Sequence, residues 1–202
     1  MKYLVIDDFI SQSYLSMARM DMRRWEMNMS YNGYNNSPRL RDSLDPRYAA
    51  TTYITDRTSI LQAIWSTKEW RAVEKLMAES EDSALVHASM TGYGSTLLSA
   101  YGNGDYYGQH IDINLDCVAT AVLMLTLKEP QQFSGGAFLL GNDERVEFKN
   151  NRLIVFPSCR LHGVEPVELE DNAYENRRFT LQYFISAVPY KGRFADEGNY
   201  KQ

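Results

Sequence analysis

His110-Ile111-Asp112 places an imidazole and a carboxylate on either side of one residue, and His162 follows Phe156-Pro157-Ser158-Cys159-Arg160-Leu161 further along. Alternate side chains of an extended segment point to one face, so His110 and Asp112 can grip one ion while Ile111 turns into the core. His162 must then arrive on another strand. Two neutral imidazoles and one carboxylate suit Fe(II) with open coordination positions, whereas structural zinc closes four ligands around itself. A His-x-Asp pair alone is weak, because such pairs arise by chance and are solvated on a surface turn. Its flanks carry the weight.

The elements that must position these residues fall in a clear order. Residues 3–6 read as a short strand closed by Asp7-Asp8. Residues 11–27 read as a helix capped by Ser11 or Ser13, with Leu15, Ala18, Met22 and Trp25 on one face. Residues 30–48, rich in Asn, Ser, Gly, Pro, Tyr and Arg, read as a long loop, and such loops are usually functional or disordered. Residues 57–79 carry one helix or two, broken near Ser66-Thr67, with Ile60, Ile64, Trp65, Val73 and Leu76 inward. After Ser83 the texture becomes strand-like: 85–90, 95–101, 119–127, 137–140, 152–156 and 179–188. Short strands at this spacing predict a sandwich or barrel, so the fold class is mainly β (α+β), helices first.

Bulk properties narrow the function classes. At 202 residues the chain reads as one domain, 1–202, with helical support over about 1–83 and a β core over about 84–190. A net charge of −5 disfavours a nucleic-acid partner. Cys117 and Cys159 make no disulfide framework, which points to a reducing compartment. No apolar run approaches the roughly 20 residues of a membrane span, and Asp7 and Asp8 interrupt any signal-peptide core, so a cytoplasmic protein is expected.

Several residues receive ordinary readings. Cys159 lies near His162 but reads as a structural thiol rather than a nucleophile. His87 reads as a core histidine on a strand. Met17, Met20, Met22, Met27 and Met29 read as core filler, and Arg19, Arg23 and Arg24 as a solvated helix face.

The flanks of the metal motif resemble the prolyl 4-hydroxylase group of 2-oxoglutarate- and Fe(II)-dependent dioxygenases. Tyr101, Gly104, Tyr107, His110 and Asp112 fill that family's Tyr-x-x-Gly-x-x-Tyr-x-x-His-x-Asp pattern. Leu153-Ile154-Val155-Phe156-Pro157 leads to His162, Val164, Pro166 and Val167, like the family's Phe-Pro strand followed by His-x-Val-x-Pro-Val. Gly135-Gly136 before Ala137-Phe138 matches the glycine pair between the two motifs. The resemblance is dense from about 84 to 188, and Val5-Ile6-Asp7-Asp8-Phe9-Ile10 is similar to the family's opening. The chain departs from it at Cys117-Val118-Ala119-Thr120, where Arg-x-x-Thr is common. It also departs at Leu123-Met124, where many members place a tyrosine, and at Ala137, where Glu is usual.

The resemblance implies a double-stranded β-helix (jelly-roll) with supporting N-terminal helices. It implies Fe(II) on His110, Asp112 and His162, with 2-oxoglutarate and O2 as cosubstrates and L-ascorbate as a candidate reductant. Arg178-Phe179-Thr180-Leu181 matches the family's Arg-aromatic-Ser/Thr-Leu. Arg178 would therefore fork onto the distal carboxylate of 2-oxoglutarate, with Thr180 on the same strand face. Arg177 is the alternative, facing the other way, and residues 168–176 read as an acidic insertion before it. Tyr101 either hydrogen-bonds the keto acid or is a packed strand tyrosine. The implied activity is hydroxylation of a C–H bond, first a prolyl residue in a peptide or protein, with succinate and CO2 formed; the loop at 30–48 would close over that substrate. Alternatives are the same chemistry on a free amino acid, small metabolite or nucleobase, or, from another class, a non-catalytic jelly-roll binding module. A zinc hydrolase would need a Glu base beside a ligand, and none is evident.

Overall fold

The structure is a computed structural model, and it describes residues 2–31, 47–112 and 116–188. The loop expected at 30–48 falls largely outside the described residues; its two ends are short strands. The strands are β1 (Leu4–Ile6), β2 (Ser30–Tyr31), β3 (Arg47–Tyr48), β4 (Ala50–Tyr53), β5 (Tyr93–Tyr101), β6 (Tyr106–His110), β7 (Cys117–Leu125), β8 (Ser134–Gly135), β9 (Phe138–Leu140), β10 (Glu144–Val146), β11 (Arg152–Pro157), β12 (His162–Val164), β13 (Val167–Glu168) and β14 (Arg178–Ser186). The helices are α1 (Gln12–Arg24), α2 (Ile60–Ala63), α3 (Lys68–Ala78) and α4 (Ser83–Ser89).

A seven-stranded sheet runs β1-β11-β7-β14-β5-β4-β2 and faces a five-stranded sheet, β10-β9-β12-β6-β3. The two sheets form a double-stranded β-helix, as expected. Strand alternation divides the core. Ala121, Leu123, Phe179, Leu181 and Ile185 face the helices, packing with Leu15, Met22, Trp65, Trp70 and Val73. Val122, Met124, Ile154 and Phe156 face the other sheet, packing with Tyr101, Phe138 and Val164. Among the described residues no helix is long and apolar enough to cross a membrane.

Side-chain caps start the helices. The Ser11 hydroxyl accepts from the Tyr14 N–H at 3.3 Å, and Thr67 and Asp82 do the same for α3 and α4. The Asp82 cap corrects the strand expected at 85–90. That segment is α4, which buries Leu85 and Ala88 one turn apart and leaves His87 at the surface rather than in a core. Leu76 is also exposed; Trp70 and Met77 hold the buried face of α3 instead. Of the methionines read as filler, Met22 is buried, whereas Met17 and Met20 are exposed because they lie off the Leu15–Ala18–Met22 face of α1, and Met27 is exposed in the turn that follows it. Arg19 is not merely solvated: its Nε donates to the Thr126 carbonyl at 2.8 Å, docking α1 on the sheet end. Ile111 lies past the end of β6 and is 38% exposed, not turned into the core. Cys159 is exposed rather than buried as a structural thiol.

Candidate metal centre

Antiparallel pairing brings the two distant histidines together. β12 lies between β9 and β6, and His162 stands directly opposite His110 in the register. Their ring centroids are 4.2 Å apart. Asp112 follows β6 and is pinned by its own N–H, which donates to the Ser158 carbonyl at 2.9 Å. His110 Nε2 lies 3.4 Å from Asp112 Oδ1, and His162 Nε2 lies 3.4 Å from Asp112 Oδ2. One donor atom from each residue falls within 4.8 Å of the other two.

The protonation pattern suits a cation. His110 Nδ1–H donates to the Gly108 carbonyl at 2.9 Å, and His162 Nδ1–H donates to the Arg160 carbonyl at 2.9 Å. Each bond leaves an Nε2 lone pair aimed at the shared point. Burial, reinforced by His110 and opposed by Asp112, pushes the His162 pKa down to about 4, so this imidazole is neutral near pH 7. Burial would raise the Asp112 carboxyl, but the proximity of His110 and His162 and the hydrogen bond from the Thr120 hydroxyl outweigh it and hold it below the usual range. Tyr107 stacks on the His110 ring at 3.7 Å, and Phe156 packs on His162 at 4.6 Å, so both rings are held on their faces.

Behind the triad, β14 turns Arg178, Thr180 and Gln182 to the same inner face. Arg178 is 0% exposed. Its Nε donates to the Gly136 carbonyl at 2.8 Å, and its guanidinium lies over the rings of Tyr101 and Phe148 at 4.9 and 5.4 Å. Gly136 has φ of +66°, and a Cβ there would stand 2.6 Å from Arg178 Cδ, so a side chain would collide with the arginine. Burial lowers the Arg178 pKa to about 10, partly offset by Tyr101, which leaves it cationic at neutral pH. Arg178 Nη1 and Nη2 and Thr180 Oγ1 are buried with no hydrogen-bond partner among the described residues. Orphaned donors on a buried cation are rare in finished cores and fit a carboxylate ligand. Arg177 points away and donates to the Asn172 carbonyl at 3.3 Å.

Thus the structure gathers His110, Asp112 and His162 at one point and sets Arg178 and Thr180 inward behind them. A cavity lined by Tyr101, Tyr107, Thr120, Phe138, Thr180 and Gln182 adjoins the triad, with Thr180 on its wall. Tyr101 is fully buried beneath the guanidinium, a position that serves packing and ligand contact alike. Sequence reasoning missed the roles of Thr120, Gln182 and the Gly136 carbonyl. Extending the alternation from Arg178 would have found Gln182; no local signal marks the other two. Elsewhere, a cleft of about 630 Å³ lies on the helix side of the large sheet, around Trp65, Trp70 and Tyr183, remote from this chemistry.

A jelly-roll with a two-His, one-carboxylate cluster that leaves coordination positions open has the ligand set of a non-haem Fe(II) centre. Residues 96–186 match the model of the 2OG-Fe(II) oxygenase superfamily. Fe(II), 2-oxoglutarate and O2 are the reactants which that superfamily implies, and the donor set fits them. A PKHD-type hydroxylase of Herminiimonas arsenicoxydans is 31% identical over 86 residues, 37% of this chain and 38% of that protein. One of Prochlorococcus marinus is 34% identical over 76 residues, 35% of this chain and 34% of that protein. The matches thus span little more than a third of these relatives. Among solved structures, a Pseudomonas putida prolyl-4-hydroxylase aligns with a TM-score of 0.61 at 16% identity, covering 91% of each chain. A Trichoplax adhaerens prolyl hydroxylase, in complex with a hypoxia inducible factor peptide fragment, aligns with a TM-score of 0.58 at 15% identity, covering 91% of this chain and 83% of that one. At those identities the likeness is one of fold.

Proposed function

We propose that this chain is a 2-oxoglutarate- and Fe(II)-dependent dioxygenase that hydroxylates a C–H bond, with a prolyl residue of a peptide or protein as its substrate. One oxygen atom of O2 enters the substrate as hydroxyl, and the other enters succinate as 2-oxoglutarate loses CO2. Arg178 carries this reading: a fully buried cation whose two terminal nitrogens lack partners among the described residues, on the same strand face as Thr180, which lines the cavity at the triad.

Each residue has a stated task. His110, Asp112 and His162 hold Fe(II), which supplies the redox chemistry that activates O2. Arg178 receives the distal carboxylate of 2-oxoglutarate through paired charge-assisted bonds, and Thr180 donates a further hydrogen bond. Tyr107 holds the His110 ring from turning, and Phe138 and Phe184 line the cavity, limiting water near the reacting atoms. The peptide substrate is supported by the fold likeness to prolyl hydroxylases, one of them peptide-bound. The free thiols Cys117 and Cys159 support a reducing compartment such as the cytoplasm. The shared apolar layer between helices and sheet supports one folding unit.

The test is incubation of Fe(II)-loaded protein with 2-oxoglutarate, O2 and L-ascorbate, with and without proline-containing peptides. Succinate release coupled to a peptide mass gain of one oxygen, mapped to proline, is expected. Succinate release stimulated only by free amino acids, small metabolites or nucleobases would keep the dioxygenase and discard the prolyl substrate. No succinate under any condition would discard the enzyme.

A further inference from the structure

We propose that Phe148 is a positioning residue for the cosubstrate: its ring holds the Arg178 guanidinium so that both terminal nitrogens are presented to the distal carboxylate of 2-oxoglutarate. This rests on the dioxygenase reading above. Among the described residues Arg178 makes one hydrogen bond, from Nε to the Gly136 carbonyl at 2.8 Å, and Nη1 and Nη2 make none. One bond fixes a point and leaves the plane of the guanidinium able to turn about it. Two rings supply what is missing. Arg178 Cζ lies over the Tyr101 ring, 4.9 Å from its centroid, and over the Phe148 ring, 5.4 Å from its centroid. A ring face attracts a cation, and more strongly where water is excluded.

The two rings reach the arginine by different routes. Tyr101 stands directly opposite Arg178 in the pairing of β5 with β14. Phe148 comes from the connection between β10 and β11, which is held without help from the site. Arg152 Nη1 donates to the Glu147 carbonyl at 2.9 Å, and the Arg152 N–H donates to the Lys149 carbonyl at 3.1 Å, so the residues on both sides of Phe148 are tied. The Phe133 ring then packs edge-on against the Phe148 ring, with centroids 4.8 Å apart. A guanidinium held in this way has less freedom left to lose when a carboxylate arrives, which is the gain of preorganisation. Phe148 acts only through Arg178. Its contribution is therefore expected for a keto acid that carries a distal carboxylate and not for one that lacks it.

The test uses the full chain loaded with Mn(II), a redox-quiet stand-in for Fe(II). Two keto acids are titrated by calorimetry into the wild type, Phe148→Leu and Phe148→Tyr. One is 2-oxoglutarate; the other is 2-oxopentanoate, which keeps the five-carbon chain and the keto-acid end but finishes in a methyl group. Phe148→Leu keeps apolar bulk and removes the ring. It is expected to weaken 2-oxoglutarate binding about 3- to 10-fold, the scale of one side chain that must be immobilised on binding. Its affinities for 2-oxopentanoate and for Mn(II) are expected to match the wild type. Phe148→Tyr keeps a ring and is expected to bind 2-oxoglutarate as the wild type does. Equal losses for the two keto acids in Phe148→Leu would make the ring a general support of the cavity and overturn the proposal, as would an undiminished affinity for 2-oxoglutarate. If Phe148→Leu fails to fold, Phe148→Met, whose flexible chain fills irregular gaps, is read in its place; equal 2-oxoglutarate affinity in it and in Phe148→Tyr would again overturn the proposal. A Mn(II)-loaded wild type that binds no 2-oxoglutarate removes the dioxygenase reading itself, a result distinct from all of these.

Discussion

The two faces of β14 make opposite use of burial. On one face Phe179, Leu181 and Ile185 are buried against helices in an apolar layer with Leu98, Leu123 and Trp65. On the other face Arg178, Thr180 and Gln182 are just as buried but polar, with three orphaned polar atoms on Arg178 and Thr180. Residues one step apart on the same backbone thus follow different rules. The helix-side face lowers the free energy of the fold by removing apolar surface from water. The inner face raises it, because a buried charge lacking full partners costs several kcal/mol, on the order of what a broken buried pair loses. A fold retains such a face when a ligand completes it.

The comparison breaks first at the triad. His110→Ala or Asp112→Ala is expected to abolish stoichiometric metal binding and succinate formation while the protein stays folded by circular dichroism. Turnover at the wild-type rate in either variant would defeat the ligand assignment.

Arg178→Met separates binding from stability. The 2-oxoglutarate affinity of the metal-loaded variant is expected to fall by roughly 2–5 kcal/mol, because one partner of a buried charge pair is gone. The ligand-free melting temperature is expected to hold or rise, since methionine fills the volume without an unpartnered charge. Arg177→Met should change neither quantity. A large fall in ligand-free stability for Arg178→Met would show that the guanidinium is structural.

Leu181→Ala is the mirror experiment on the other face. It is expected to cost roughly 2–5 kcal/mol in urea unfolding, with the Mn(II) affinity of the folded fraction preserved. A selective loss of metal affinity would mean that the two faces are coupled.

The smallest effect lies at the sheet edge. Hydrogen bonds from Arg152 and then Lys149 lower the Asp7 pKa to about 2. A depressed carboxylate contributes stability above its unfolded value of about 3.9, and that stability is lost as pH falls through about 2. Asp7 is 39% exposed, so solvent screening reduces this to about 1 kcal/mol or less. Asp7→Asn is expected to lower stability by that amount at pH 6 and by nothing near pH 2.

How much was legible in the sequence follows the same division. On the inner face the proposed ligands were picked out by motif, His110 with Asp112 and the distant His162, while alternation along β14 favoured Arg178 over Arg177. Thr180 shares the Arg178 face by the same alternation, whereas Tyr101 was named through the family resemblance. The helix side was less readable, because apolar packing accepts many sequences and a short apolar run does not declare its period. Leu85 and Ala88 suit a strand or one helical turn, and the Asp82 cap decided for α4. Ile111 was misplaced because β6 ends at His110, so strand alternation no longer applies one residue later. Thr120 was visible as a residue but not as Asp112's partner, since the contact depends on how β7 lies beside the loop that follows β6.

The most direct test of the central claim is a calorimetric titration of 2-oxoglutarate into the wild-type protein, with and without saturating Mn(II), repeated on Arg178→Met. The account predicts one site, tight binding only with metal present, and loss of that binding in the variant. Equal affinity without metal, or unchanged affinity in Arg178→Met, would contradict it.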